Sequence, residues 1–178
     1  FGPPNYVLDQ YLRDIAPVAG KSDGVLEVQK VKLTDSAGKD VSIISPGTEL
    51  SLRISVCART AISNYHVALV VYRSTDGLPV YDANWKGQEL GLEQLQPGSL
   101  VDFDIRFRAH LTRGHYYASW HLRHDPTHVL LAVCRPAGFF SVDEHRTYAG
   151  IADLEGSVTA HQNGVIQYPK TSGVAKLL

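Results

Sequence analysis

Strict alternation of apolar and polar residues is the feature that most constrains how this chain can fold. Residues 50–58, LSLRISVCA, carry an apolar side chain at every second position, and residues 101–109, VDFDIRFRA, do the same. Period-two alternation places successive side chains on opposite faces of an extended backbone, so each segment predicts a β-strand with one buried face. The chain is therefore expected to bury its core between sheets.

Further strands are predicted on both sides of these two. They cover residues 25–33, 41–44, 65–73, 78–81, 115–123, 129–133 and 139–142, with a break at Arg135-Pro136, and one or two more are expected over 151–168. Gly, Pro, Asp and Asn separate them, and helices suited to βαβ crossovers are missing, which favours an antiparallel two-layer β-sandwich. Residues 4–16 carry the only convincing helical periodicity, so the prediction is an all-β fold with a short N-terminal helix.

The segment AGKSDG, residues 19–24, resembles the end of a phosphate-binding P-loop. A P-loop needs a second glycine five residues before the glycine of its GK pair, and Ile15 occupies that position. Pro17 also removes a backbone N–H where the phosphate cradle needs one. Residues 17–24 are therefore interpreted as a flexible polar linker.

The sequence argues against several classes of function. A net charge of -1 provides no broad basic surface for nucleic acid, so no nucleic-acid partner is expected. No nucleophile elbow, zinc-protease pair or calcium loop occurs, so neither catalytic residues nor a cofactor are predicted. Asp102 and Asp104 share a strand face with Arg106 and Arg108, which favours a salt-bridged surface over a pair of glycosidase acids.

The stretch HLRHDPTH brings three histidines, His121, His124 and His128, close together in sequence. Three imidazoles can bind zinc, but His121 and His124 point to opposite faces if the strand continues. The intervening Asp-Pro is a turn signal, and no cysteine lies nearby. Loop histidines without a metal are therefore predicted.

A candidate carbohydrate-binding face emerges from two of the predicted strands. In residues 115–123 the inward set is Tyr116, Ala118, Trp120 and Leu122, and in residues 65–73 it is Val67, Leu69 and Val71. If the two strands are neighbours in one sheet, their other face exposes rings, imidazoles and a guanidinium that suit a sugar, and the guanidinium of Arg123 suits an anionic substituent. The predicted binding residues are His66, Tyr72, Tyr117, Ser119, His121 and Arg123. Trp85 and Asn84 either extend this face or, in the case of Trp85, belong to the core.

A family resemblance covers nearly the whole chain. FGPPNYVLDQYL, with Gly2, Val7, Leu8 and Tyr11, looks like the closing segment of the ATPase domain of polysaccharide-exporting ABC transporters. The β-rich remainder is similar to the C-terminal extension of the ATP-binding subunit of O-antigen exporters, the Wzt type. The segments that match are PGTELSLRISV, VALVVYRSTDGLPVYDAN and LTRGHYYASWHL.

The resemblance implies a non-catalytic, immunoglobulin-like β-sandwich over residues 25–178, with residues 1–24 as a helix and linker from the end of an ATPase domain. It implies recognition of the finished end of a lipid-linked O-polysaccharide in the cytoplasm, at the inner face of the bacterial inner membrane. The implied partners are a second copy of the subunit, in a homodimer, and the transporter permease, reached through the full-length subunit. In some members a terminal strand is exchanged between protomers, which would suit the tail from residue 151 onward.

Cys57 and Cys134 leave a second hypothesis for the function open. Their separation suits the inter-sheet disulfide of a structural or protein-interaction domain of immunoglobulin type, but that pattern expects a tyrosine at the position of Ala132. Two buried thiols are the favoured prediction, because cysteine is among the residue types most often buried.

Overall fold

Alternating segments become strands throughout the part of the chain that the structure describes. A computed structural model describes residues 21–22, 24–145 and 150–152, and these residues contain strands and turns but no helix. The helix predicted over residues 4–16 and the strands predicted beyond residue 152 lie outside the described residues. The strands in chain order are β1 (Lys21–Ser22), β2 (Leu26–Asp35), β3 (Ile43–Ile44), β4 (Glu49–Ala58), β5 (Ile62–Ser63), β6 (Tyr65–Arg73), β7 (Pro79–Lys86), β8 (Gln94–Leu95), β9 (Leu100–Arg108), β10 (Gly114–His124) and β11 (Leu130–Val142).

The strands form two main sheets. The larger sheet has the order β1-β11-β10-β6-β7, with β3 added in parallel to β11, and the smaller has the order β2-β4-β9. All other pairings in the two sheets are antiparallel, and β5 and β8 form a separate two-stranded pair. The predicted immunoglobulin-like antiparallel sandwich is confirmed.

The core lies between the two sheets, where the alternation placed it. Trp120 and Leu122 of β10 are fully buried, and Phe103 of β9 contacts the indole of Trp120 from the opposite sheet at 5.9 Å between ring centroids. The other inward residues predicted for β4, β6 and β10 are also buried: Leu50, Leu52, Ile54, Val56, Ala58, Val67, Leu69, Val71, Tyr116 and Ala118. Since burial of each large apolar side chain contributes roughly 1.5–3 kcal/mol, this layer supplies most of the driving force for folding.

Three of the predicted strands have the wrong extent. The strand predicted over residues 78–81 continues to Lys86, and the two strands predicted over 129–133 and 139–142 are one strand, β11. The break expected at Arg135-Pro136 is instead a bulge with a cis peptide bond. Ala118 pairs with Gly138 and Trp120 pairs with Cys134, so β11 has extra residues opposite Ser119. A bulge tolerates proline because its residues leave the regular ladder of hydrogen bonds.

The segment predicted as a flexible linker, residues 17–24, is paired in part. Lys21 and Ser22 form β1, which is antiparallel to β11 opposite Val133 and Ala132. The chain therefore enters the larger sheet at Lys21, before β2 begins at Leu26. No helix of a length and hydropathy suited to crossing a bilayer occurs among the described residues.

Candidate functional site

The six predicted binding residues lie together on the larger sheet. Strands β6 and β10 are hydrogen-bonded neighbours, with Tyr117 opposite Tyr72 and Arg123 opposite His66. Residues that share the parity of Tyr72 and Tyr117 face away from the smaller sheet, and this side is called the outer face below. The prediction that the two strands are neighbours and that these residues share one face is confirmed.

The prediction that all six residues are exposed is wrong. Ser119 is fully buried, and His121 and His66 are 5% and 7% exposed. All three lie on the central strands β6 and β10, which are flanked by β7 and β11. Tyr72, Tyr117 and Arg123 are half-buried and reach the surface.

A cluster of Tyr72, Tyr117 and Arg135, called the tyrosine–arginine cluster below, occupies one end of the outer face. The two tyrosine rings are stacked, with centroids 5.0 Å apart and planes at 17°. The guanidinium carbon of Arg135 lies 4.1 Å from the centroid of the Tyr72 ring. Its Nε and Nη2 donate hydrogen bonds of 3.2 and 2.9 Å to the Tyr117 hydroxyl. The cluster therefore holds a fixed positive charge over the Tyr72 face, beside two stacked rings that are each only partly exposed.

Sequence reasoning missed Arg135. The arginine precedes Pro136, and the pair was interpreted as a break between strands, which left Arg135 without a face. In the structure the bulge carries Arg135 onto the outer face, where it is exposed. The available signal was indirect, since arginine next to a strand rich in tyrosine can stack on the rings.

A chain of hydrogen bonds runs from Arg123 into the sheet. Ser119 Oγ donates its single proton to the Cys134 carbonyl at 3.1 Å, so His121 Nε2 must donate to Ser119 Oγ at 2.9 Å. His121 Nδ1 is then the acceptor for Arg123 Nη2 at 2.8 Å. Burial is the main cause that lowers the pKa of His121 to about 4, and the guanidinium groups of Arg123 and Arg135 lower it further. His121 is therefore neutral at neutral pH and holds Arg123 in place.

Acid is expected to weaken the fold through His121. Its pKa falls from 6.5 to about 4 on folding, so the unfolded chain binds the proton more readily in that range. Stability contributed by neutral His121 is complete above pH 6.5 and is lost as the pH falls toward 4, by on the order of 2 kcal/mol. Urea unfolding at pH 7 and pH 4.5 measures this loss, and His121→Gln should reduce it.

Replacement of the exposed His145 by glutamine is the matched control. His145→Gln should keep the acid sensitivity of the parent chain. If His121→Gln and the parent chain lost the same stability between the two pH values, the assignment to His121 would be wrong.

The opposite end of the outer face is paired internally. Asp125 lies 3.6 Å from His66 Nδ1 and forms an ion pair with Lys86 Nζ at 3.3 Å, and the ring centroid of His128 lies 5.9 Å from that of His66. Burial lowers the pKa of His66, and the charge of Asp125 opposes this. His124 contacts Thr127 Oγ1 at 2.9 Å. Over residues 24–145 and 150–152, no three His, Cys, Asp or Glu side chains are arranged to hold a metal ion.

The alternatives for strand β7 are resolved by its register. Trp85 lies opposite Val67 and packs against the core, whereas Asn84 lies opposite Ala68 and extends the outer face.

On β9, Asp104 accepts from Ser51 Oγ at 2.5 Å and pairs with Arg106 at 3.4 Å and Arg53 at 3.7 Å. The predicted salt-bridged surface is confirmed there.

Comparison with known proteins gives a family and a fold. Residues 19–154 match the family model described as the Wzt C-terminal domain. The crystal structure of the C-terminal domain of Wzt superposes with a TM-score of 0.65 at 15% sequence identity, over 80% of this chain and 87% of that chain. A Niemann-Pick type C2 protein from Japanese carpenter ant gives a TM-score of 0.45 at 11% identity, over 72% of this chain and 96% of that chain. No curated protein sequence matches the chain.

Proposed function

The chain belongs to the Wzt C-terminal domain family, whose members are carbohydrate-binding modules of O-antigen ABC transporters, and from this we propose that it recognises the terminal end of a lipid-linked O-polysaccharide. Modules of this family bind their ligand without chemical change. The proposed role is to select completed polysaccharide chains for export.

The tyrosine–arginine cluster is the observation that carries this proposal. Parts of the stacked Tyr72 and Tyr117 rings reach the surface beside Arg135, so the apolar C–H face of a sugar can lie against them while Arg135 and Asn84 bind its hydroxyl groups. Ser119 and His121 are buried and hold Arg123 through hydrogen bonds, and His66 is buried at the opposite end of the outer face. Of the six predicted residues, Tyr72, Tyr117 and Arg123 are the ones proposed to contact the glycan.

The setting of the module is also a proposal. Residues 1–24 would join it to the ATPase domain of the transporter, and residues 25–178 would form the carbohydrate-binding domain. The full-length subunit would act as a homodimer with the permease, in the cytoplasm at the inner face of the inner membrane. These statements rest on the family resemblance of the segments quoted above.

Titration with the O-polysaccharide of the source organism tests the proposed function. Calorimetry should detect binding of the complete chain, and removal of its terminal modification should weaken the affinity at least about ten-fold, because loss of a few directed contacts costs about 1.4 kcal/mol or more. Absence of binding would defeat the proposal. Equal affinity for complete and truncated chains would defeat terminal recognition.

The alternative, a structural immunoglobulin-type domain with an inter-sheet disulfide, is not compatible with the positions of the cysteines. Cys57 alternates with the buried Val56 and Ala58 on β4, so its side chain faces away from the core. Cys134 lies opposite the inward-facing Trp120 on the other sheet. The two residues are present as thiols that point in different directions.

Thiol labelling is expected to distinguish the two cysteines. In the native protein Cys57 should react first, because it is half-buried, whereas burial raises the pKa of the Cys134 thiol to about 11. Denaturation without reductant should make both available to the reagent. The variant Cys57→Ser should show label only after denaturation, and failure of either thiol to react in denaturant would indicate a disulfide.

A further inference from the structure

Two arginines differ from the others in the described part of the chain. Ion pairs with aspartate or glutamate are formed by Arg53, Arg59, Arg73, Arg106, Arg108 and Arg113. Arg123 and Arg135 form no such pair with any described residue. Neutral acceptors hold them instead, His121 Nδ1 for Arg123 and the Tyr117 hydroxyl for Arg135. Both guanidinium groups are thus fixed in position while their charge is not neutralised.

The two arginines act on the same region of the outer face. Each of them lowers the pKa of His121, which lies between them, and Asp82 on the neighbouring strand β7 opposes this effect. Because His121 is neutral, the charged groups around it are the positive Arg123 and Arg135 and the negative Asp82. Lys86 and Asp125, the next charged groups on this side, are paired with each other at 3.3 Å. The region between the two arginines therefore has a positive electrostatic potential.

We propose that Arg123 and Arg135 bind an anionic group, a phosphate or a carboxylate, carried by the glycan while its sugar ring lies against the exposed parts of Tyr72 and Tyr117. This inference rests on the proposed function, because it names the chemistry of the glycan end that the outer face recognises. A guanidinium matches the paired oxygens of either anion, and the Nη1 hydrogens of both arginines are not used in the contacts described above. Because neutral groups already hold the two side chains, little conformational entropy is lost on binding.

Titration of the chain with glucose 6-phosphate, glucuronate and glucose, followed by NMR of the arginine Nε–H signals, tests the proposal. The two anionic sugars should bind at least about ten-fold more tightly than glucose and should shift the signals of Arg123 and Arg135, since a charge-assisted hydrogen bond is worth more than a neutral one. Inorganic phosphate should bind more weakly than glucose 6-phosphate, because it lacks the ring. Raising the NaCl concentration from about 0.05 to about 0.5 M should weaken the binding of both anionic sugars.

Matched variants identify the residues. Arg123→Gln and Arg135→Gln should each weaken binding of glucose 6-phosphate about ten-fold, and Arg123→Lys and Arg135→Lys should retain part of it, since lysine keeps the charge without the planar fork. Arg106→Gln is the control, because Arg106 lies on β9 of the other sheet and is paired with Asp104. Unchanged urea midpoints establish that the variants are folded.

Two results overturn the anion site. One is equal affinity for glucose and glucose 6-phosphate, and the other is a loss in Arg106→Gln as large as in the Arg123 and Arg135 variants. If inorganic phosphate bound as tightly as glucose 6-phosphate, the proposed contact between the sugar ring and the tyrosines would be wrong. Failure of the parent chain to bind O-polysaccharide would overturn the proposed function. It would leave the anion site intact, because that site is tested by the monosaccharides alone.

Discussion

Replacement of Tyr117 by alanine is expected to weaken the binding of O-polysaccharide about thirty-fold. Tyr117 stacks on Tyr72, meets the edge of Phe139 at 5.9 Å and accepts two hydrogen bonds from Arg135. Its removal therefore takes away one ring and the two hydrogen bonds that hold the guanidinium of Arg135 over Tyr72. Loss of about 2 kcal/mol follows from one aromatic contact and one charge-assisted hydrogen bond. Calorimetric titration measures the affinity.

Two variants separate the contributions of the ring and the hydroxyl. Tyr117→Phe keeps the stacking and loses the hydrogen bonds to Arg135, so its affinity should lie between those of the parent chain and Tyr117→Ala. Tyr81→Ala is the matched control, because Tyr81 is 46% exposed but lies opposite Val71 on β7 and so faces the side away from the outer face. Equal loss in Tyr81→Ala and Tyr117→Ala would contradict a binding site on the outer face.

Replacement of Trp120 by alanine is expected to cost about 3–5 kcal/mol of stability, which is enough to unfold a domain of ordinary stability in part. Trp120 is fully buried at the centre of β10 and contacts Phe103 across the two sheets. Its Nε1 finds no hydrogen-bond partner among the described residues, so Trp120→Phe removes an unpaired donor as well as volume and should cost less. Urea unfolding monitored by circular dichroism measures both.

Trp85 is the internal comparison for this prediction. It packs against the core from the edge strand β7 and is only half-buried, so Trp85→Ala should cost less than Trp120→Ala. A loss below about 1 kcal/mol in Trp120→Ala would mean that the layer between the sheets is not closely packed around the indole.

The sequence predicted best those strands in which apolar and polar residues alternate regularly. For β4, β6, β9 and β10 the predicted and observed bounds agree within one residue, because each has apolar residues at every second position and turn residues beyond its ends. The extent of β7 was missed, since YDANWK over residues 81–86 is mostly exposed and shows no regular apolar alternation. The two-residue strands β5 and β8 carry too few residues to show any period.

The candidate site was predictable in composition but not in arrangement. Parity alone placed His66, Tyr72, Tyr117 and His121 on one side of a sheet. Nothing in the spacing indicated that His121 would be buried and neutral, because its burial depends on strands that lie far away in sequence. Arg135 could not be assigned to a face for the same reason, since a bulge between β10 and β11 determines its direction.

What this sequence determined by itself is which side chains share a face, since alternation is a property of the local backbone geometry and needs no knowledge of the partner strand. Only the tertiary structure decided which of those side chains reach solvent and which hydrogen bonds they make. Strand order, register and the position of a bulge depend on contacts between distant segments, and these brought Arg135 onto the rings of Tyr72 and Tyr117 and left Arg123 held by a neutral histidine.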